Sequence, residues 1–176
     1  MFRDLRNYRL LAIVTALPLF LASCESLPGT NTSNTTLETT AGKVAHIAER
    51  VDLECGGTDF RLFRVSLENG TEAVTLFKGE KEVRTERLPS QTEVKKFKLD
   101  PLRKTDEGFE LSVEYGDRYY HSKRFGFDCV EEGFHLARMK SERFDTQNPG
   151  RISRKESVVR PRRPWEEFGL RLYLID

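Results

Sequence analysis

The stretch "FRLFRVSLENGTEAVTLF" (60–77) alternates, turns and alternates again. Phe63, Val65 and Leu67 share one parity, against Leu62, Arg64 and Ser66 on the other. A spacing of two places each set on one face of a β-strand. Asn69-Gly70 interrupts the pattern and predicts a tight hairpin of type I′, whose two central residues both need positive φ. "EAVTLF" (72–77) then resumes a strand.

The same punctuation continues downstream. "KGEK" (78–81) reads as a second turn and "EVRTERL" (82–88) as a third strand. "TEVKKFKL" (92–99), with Val94, Phe97 and Leu99, reads as a short strand stopped by Pro101. "GFELSVEY" (108–115) sets Phe109, Leu111, Val113 and Tyr115 against Glu110, Ser112 and Glu114, and "GD" (116–117) turns. "RYYHSKRFGFDCV" (118–130) carries Tyr119, Phe125, Phe127 and Cys129 on one parity, interrupted by His121 and Lys123. After "EEG" (131–133), "FHLARMKSERF" (134–144) is read as a strand. "FGLRLYLID" (168–176) alternates Phe168, Leu170, Leu172 and Leu174 and is read the same way.

Upstream, "KVAHIAERVDLEC" (43–55) is mixed. Val44, Ile47 and Val51 have helical spacing, whereas "ERVDLEC" alternates, so a strand is placed at about 49–55. Helix is confined to a turn near 164–168, with Pro164 at its first position. There is no internal repeat. Short strands divided by turn signals predict an all-β fold, an antiparallel sandwich or barrel of about seven to nine strands.

The chain of 176 residues is 32% charged and 38% hydrophobic, a globular composition. It carries 29 Lys and Arg against 28 Asp and Glu. Residues 1–23 hold Arg3, Arg6, Arg9 and Asp4; without them the counts are 26 and 27. A balanced surface gives no global electrostatic argument for nucleic acid, which is not an expected partner.

The first residues, "MFRDLRNYR", are short and net positive, and "LLAIVTALPLFLA" (10–22) is almost wholly apolar. That run falls short of the ~20 residues a membrane span needs. A charged start, a short apolar centre and small residues at the end describe a secretory signal. Leu21-Ala22-Ser23-Cys24 resembles the lipobox of bacterial lipoproteins. The resemblance implies a signal peptide over 1–23, cleavage before Cys24, and acylation of that cysteine. Several acyl chains anchor a protein stably where one does not. Glu25 is not the Asp that often marks inner-membrane retention in this class, so the resemblance implies an outer-membrane anchor facing the periplasm. Residues 25–42, rich in Thr, Asn, Ser, Gly and Pro, lack the apolar surface to offset ordering entropy. Residues 24–42 are therefore read as a lipidated flexible tether and 43–176 as a single β-rich domain.

With Cys24 acylated, Cys55 and Cys129 remain. Both fall near predicted strand ends in an exported, oxidising context, so they are expected to form a disulfide. No Cys-x-x-Cys or close His pair suits a metal, since His46, His121 and His135 are scattered. No phosphate loop and no Gly-x-Ser-x-Gly motif is present, so neither cofactor nor catalysis is expected.

Two tracts have the composition of a binding surface. Arg118, Tyr119, Tyr120 and His121 crowd one hairpin, and Tyr and Arg are enriched at binding hot spots. "RISRKESVVRPRRP" (151–164) holds Arg160, Arg162 and Arg163 among six cations and one acid, Glu156. It reads as a solvated loop able to meet anionic headgroups or an acidic partner.

"LECGGTDFRLFRVSLENGTEAVTLFKGEKEVR" (53–84) is similar in rhythm to the opening of the membrane-bound inhibitors of C-type lysozyme. Those are lipid-anchored barrels with an early cysteine bonded to a late one. The chain lacks that family's Ser-Gly-x-x-Tyr loop. The reading is thus a non-catalytic envelope lipoprotein with a binding or structural role and a protein partner, a lysozyme-inhibitor-like or small-ligand barrel being the alternative and an envelope enzyme the last.

Overall fold

A computed structural model describes residues 37–174. The signal segment, Cys24 and the tether up to residue 36 lie outside the described residues. The described chain is all-β and antiparallel, in two meander sheets. The first runs in sequence order: β1 (Glu38–Thr39), β2 (Gly42–Cys55), β3 (Thr58–Leu67), β4 (Glu72–Lys78) and β5 (Lys81–Arg87). The second contains β6 (Lys98–Leu99), β7 (Arg103–Lys104), β8 (Gly108–Gly116), β9 (Tyr119–Val130), β10 (Gly133–Asp145) and β11 (Asn148–Pro164). Its spatial order is β11-β10-β9-β8-β6, with β7 also on β8.

Alternating apolar side chains drive the two sheets together. Leu53, Phe60, Leu62, Val74 and Leu76 from the first sheet join Phe109, Leu111, Val113, Phe125, Phe127, Phe134 and Leu136 from the second in one core. Its rings meet edge-on in pairs such as Phe60–Phe134 (centroids 5.1 Å) and Phe109–Phe134 (5.3 Å), and stack in Phe109–Phe127 (4.7 Å).

β3 is apolar on both parities, not on one. Phe60 and Leu62 enter the core, while Phe63, Val65 and Leu67 build a second cluster with Ala73 and Phe77 on the other face. Leu37, Ala41 and Val44 cover that cluster. Thr40 fastens the cover, its backbone N–H and hydroxyl donating to the Glu82 carboxylate at 2.8 and 2.6 Å. Residues 37–42, assigned above to the tether, therefore belong to the fold.

The ambiguity at 43–55 has a geometric cause. Val44 pairs with Leu67 and Ile47 with Val65, so an extra residue bulges out between them, and another follows before Glu49. A bulge puts residues three apart on one strand face, which imitates helical spacing. β2 is a strand throughout its 14 residues.

Turn chemistry departs from expectation too. Leu67 N–H donates to Thr71 O and Gly70 N–H to Leu67 O, both at 2.8 Å, closing a three-residue loop with only Gly70 (φ 79) left-handed. The two-residue turn with both φ positive is Gly56-Gly57 (59 and 73), between β2 and β3. Of "TEVKKFKL" only the last two residues are strand; 91–96 form turns.

The basic segment is not a loop but β11. The C-terminal stretch is not a strand: a 3-10 turn (Trp165–Glu167), N-capped by Pro164, leads to the α-helical turn α1 (Arg171–Leu174). Trp165, Phe168, Leu170 and Leu174 are buried from this segment, which fills the gap between β5 and the second sheet. The alternation does not describe one face: Phe168 and Leu170 point inward, Leu172 is 67% exposed, and Leu174 returns inward four residues after Leu170, the spacing of a helical turn.

Glu86 on β5 holds this plug. Its carboxylate accepts the Leu170 N–H at 2.9 Å and lies 3.2 Å from Arg84. Burial raises its pKa above the ordinary 4.5, with the Leu170 bond and Arg84 opposing. A raised acid pKa contributes stability that is full below about 4.5 and lost as pH rises through the folded value. Glu86→Gln, which keeps the acceptor and removes the buried charge, should gain on the parent in melting temperature from about pH 4 to about pH 7. Glu86→Ala should instead cost about 1–3 kcal/mol, by orphaning the Leu170 N–H. A Glu86→Gln difference that is flat with pH refutes the assignment.

Candidate basic interface

Cys55 and Cys129 form the expected disulfide, with Cα atoms 5.5 Å apart. It ties the end of β2 to the end of β9 and marks one end of the sandwich. The two sequence-chosen tracts lie along the second sheet, toward opposite ends. Tyr119 pairs with Asp145 and Arg163 with Leu136, nine residues apart on β10, or roughly 30 Å at strand rise. They are two surfaces, not one.

The first tract is split by the pleat. Tyr120 faces outward, its ring 4.9 Å from Phe144, and its hydroxyl donates to Glu114 at 2.7 Å. Burial first, then that bond, pushes its pKa up to about 12, so it stays a neutral donor. Tyr119 and His121 occupy the other face, where His121 stacks on Tyr115 at 4.9 Å. Tyr119 is sandwiched by cations, the Arg143 guanidinium 4.3 Å and the Arg118 guanidinium 5.4 Å from its ring centre. Such contacts orient Arg over an aromatic face.

Arg118 also pairs with Asp145 at 3.8 Å, and Thr146 N–H and hydroxyl donate to Arg118 O at 2.9 and 3.0 Å. These bonds stitch the β8–β9 turn to the β10–β11 turn. Gly116 permits the approach: at φ 113 its position has no room for a Cβ, which would lie 2.1 Å from Tyr119 O. Beside this tip, Tyr119, Arg143, Asp145, Arg151, Ile152 and Ser153 line an open hollow of 360 Å³.

Arg143 lay outside both tracts and was missed; Arg151 and Ile152 fall at the start of the basic tract but were not singled out within it. Ala137 explains the first. β9 and β10 pair as Leu136–Phe127 but then as Arg138–Gly126, so Ala137 is an extra residue. The inward parity of β10 changes there from Phe134 and Leu136 to Met139, Ser141 and Arg143. Without the bulge, Arg143 would face away from Tyr119.

Arg160 and Arg162 sit where four residues of β11, 159–162, stand opposite Ala137, and Arg163 follows opposite Leu136. Arg160 is exposed, Arg162 approaches Asp128 at 3.7 Å, and Arg163 lies 5.9 Å from the Tyr173 ring centre. Arg154 pairs with Glu142 at 3.1 Å. Among the described residues, no carboxylate lies within ion-pair distance of Arg143, Arg151, Lys155 or Arg160.

Two larger hollows are internally neutralised. That of 620 Å³ beside the disulfide holds Asp128 between Arg138 (2.8 Å) and Arg162. That of 700 Å³ between the sheets pairs Arg64 with Glu72 (2.8 Å) and Arg171 with Glu93 (2.9 Å). Ser90 N–H and Arg171 accordingly hold the Glu93 pKa below its ordinary value. Among the described residues no group of His, Cys, Asp and Glu is arranged to hold a metal.

No family model matches the chain, and neither a curated protein nor a solved structure matches it.

Proposed function

We propose that the chain is a lipid-anchored, non-catalytic protein of the bacterial envelope that holds a protein partner along β11. The anchor rests on the Leu21-Ala22-Ser23-Cys24 sequence and places the domain on the outer membrane, facing the periplasm. The observation that carries the binding role is β11 itself. It has 17 residues, where strands commonly have about 5–6. None of its described side chains is fully buried, so its length is not explained by core packing. As an edge strand it offers unpaired backbone groups, and its cations and Pro161 block indiscriminate pairing. Its basic character selects an acidic partner surface.

The test is a pull-down from crosslinked envelopes. The parent should recover one stoichiometric envelope protein. Lys155→Glu/Arg160→Glu should lower that recovery about tenfold or more, since like charges facing across an interface cost several kcal/mol. Both side chains are exposed, so folding should be unaffected. In the same preparation, Cys24→Ala should leave the membrane fraction. Recovery of no partner, or equal recovery by the double variant, overturns the reading.

A further inference from the structure

We infer that the tip formed by the β8–β9 and β10–β11 turns is a contact site for the phosphate headgroups of anionic phospholipids. The inference rests on the anchored reading above and adds the orientation of the domain on its membrane. Three observations carry it.

The first is charge. Residues 117–120 and 142–155 hold Arg118, Arg143, Arg151, Arg154 and Lys155 against Asp117, Glu142 and Asp145. All three acids are engaged, Asp117 by Lys96 at 2.7 Å, Glu142 by Arg154 at 3.1 Å and Asp145 by Arg118. Arg143 and Arg151, with no carboxylate partner among the described residues, line the same hollow. Guanidinium is the side-chain group suited to phosphate oxygens, which it meets with paired N–H donors.

The second is exposed apolar surface in the same place. Tyr119 is 41% and Ile152 50% exposed. Two of the five large hydrophobic side chains exposed among the described residues thus line the hollow beside the tip. Apolar and aromatic side chains next to cations match the headgroup boundary of a bilayer, where the two kinds of group are satisfied at adjacent depths. At the tip itself, an acidic protein surface of the kind proposed for the Lys155–Arg160 stretch of β11 would satisfy only the cations and leave Tyr119 and Ile152 exposed.

The third is the path of the chain. Leu37 O accepts the Val44 N–H at 3.0 Å, and Val44 pairs with Leu67. That places Leu37 at the end of its strands away from the disulfide, as the tip is for β9 and β10. Cys24, the anchor proposed above, precedes Leu37 by 13 residues.

The test uses the full chain reconstituted in vesicles. Gln147→Cys at the tip carries an environment-sensitive label, and Glu80→Cys, at the disulfide end, carries the control label. Vesicles are phosphatidylcholine alone or with about 30% phosphatidylglycerol, each doped with nitroxide-quencher lipid. The tip label should be quenched in the anionic vesicles and not in the neutral ones. Salt should weaken the quenching, Arg143→Glu/Arg151→Glu should abolish it, and the Glu80→Cys label should stay unquenched. A tip label unquenched in anionic vesicles, or quenched equally in both, overturns the inference. Failure of the anchor reads differently, as a chain that does not sediment with neutral vesicles. Sedimentation with anionic vesicles then decides the tip: an affinity that falls about tenfold or more on the double reversal supports it, and no sedimentation overturns it.

Discussion

Replacing Trp165 by alanine should destabilise the domain by about 3–5 kcal/mol and lower its melting temperature by roughly 10–15 °C. The indole is 1% exposed and meets Phe109 at 5.7 Å, Phe127 at 5.2 Å and Phe168 at 5.5 Å. Its N–H donates to Arg84 O at 3.4 Å. The side chain therefore joins β5 of one sheet to the aromatic core of the other. Its removal leaves a cavity that a rigid ring cluster cannot collapse to fill, and it loosens the plug that closes that side of the sandwich. Urea unfolding checks this: the midpoint should fall while the slope stays constant. Glu167→Ala, exposed two residues on in the same 3-10 turn, should stay within about 0.5 kcal/mol. A Trp165→Ala loss below about 1 kcal/mol would contradict the packing described.

The disulfide should matter about as much. Cys55→Ala/Cys129→Ala opens a cross-link of sequence separation 74. In the chain-entropy model that releases about 4 kcal/mol into the unfolded state, again roughly 10–15 °C. Contact between the sheets at this end is otherwise made by side chains and the Lys78–Glu132 pair at 2.9 Å. Surface pairs of that kind are worth ~1 kcal/mol or less, so they do not replace a covalent tie. Reductant added to the parent should reproduce the shift of the double variant, and should leave the variant itself unchanged. A parent that melts at the same temperature with and without reductant would show that the bond does not constrain the unfolded chain.

Much of the fold is legible because strand alternation is a local property. Phe109, Leu111, Val113 and Tyr115 at spacing two specify β8 and its buried face without reference to the rest of the molecule. Two cysteines near predicted strand ends, read in an expected export context, were enough to specify a bond. The candidate site was half legible. Tyr119, Arg118 and the basic tract that begins at Arg151 drew notice through composition, but Arg143 carries no local signature, and nothing in the sequence joined the two tracts, which begin more than 30 residues apart.

The amino-acid sequence alone determined an all-β antiparallel domain, most of its strands and the Cys55–Cys129 pair, since these follow from periodicity and residue chemistry. Tertiary structure decided the rest. It made residues 37–42 a cover for Phe63, Val65 and Leu67, turned the last alternating stretch into a plug, and ordered the basic segment as an edge strand. It also brought Arg143 over Tyr119, through one extra residue at Ala137. A bulge reverses which face every later side chain occupies, yet its placement is set by how two sheets meet, which no window of local sequence records.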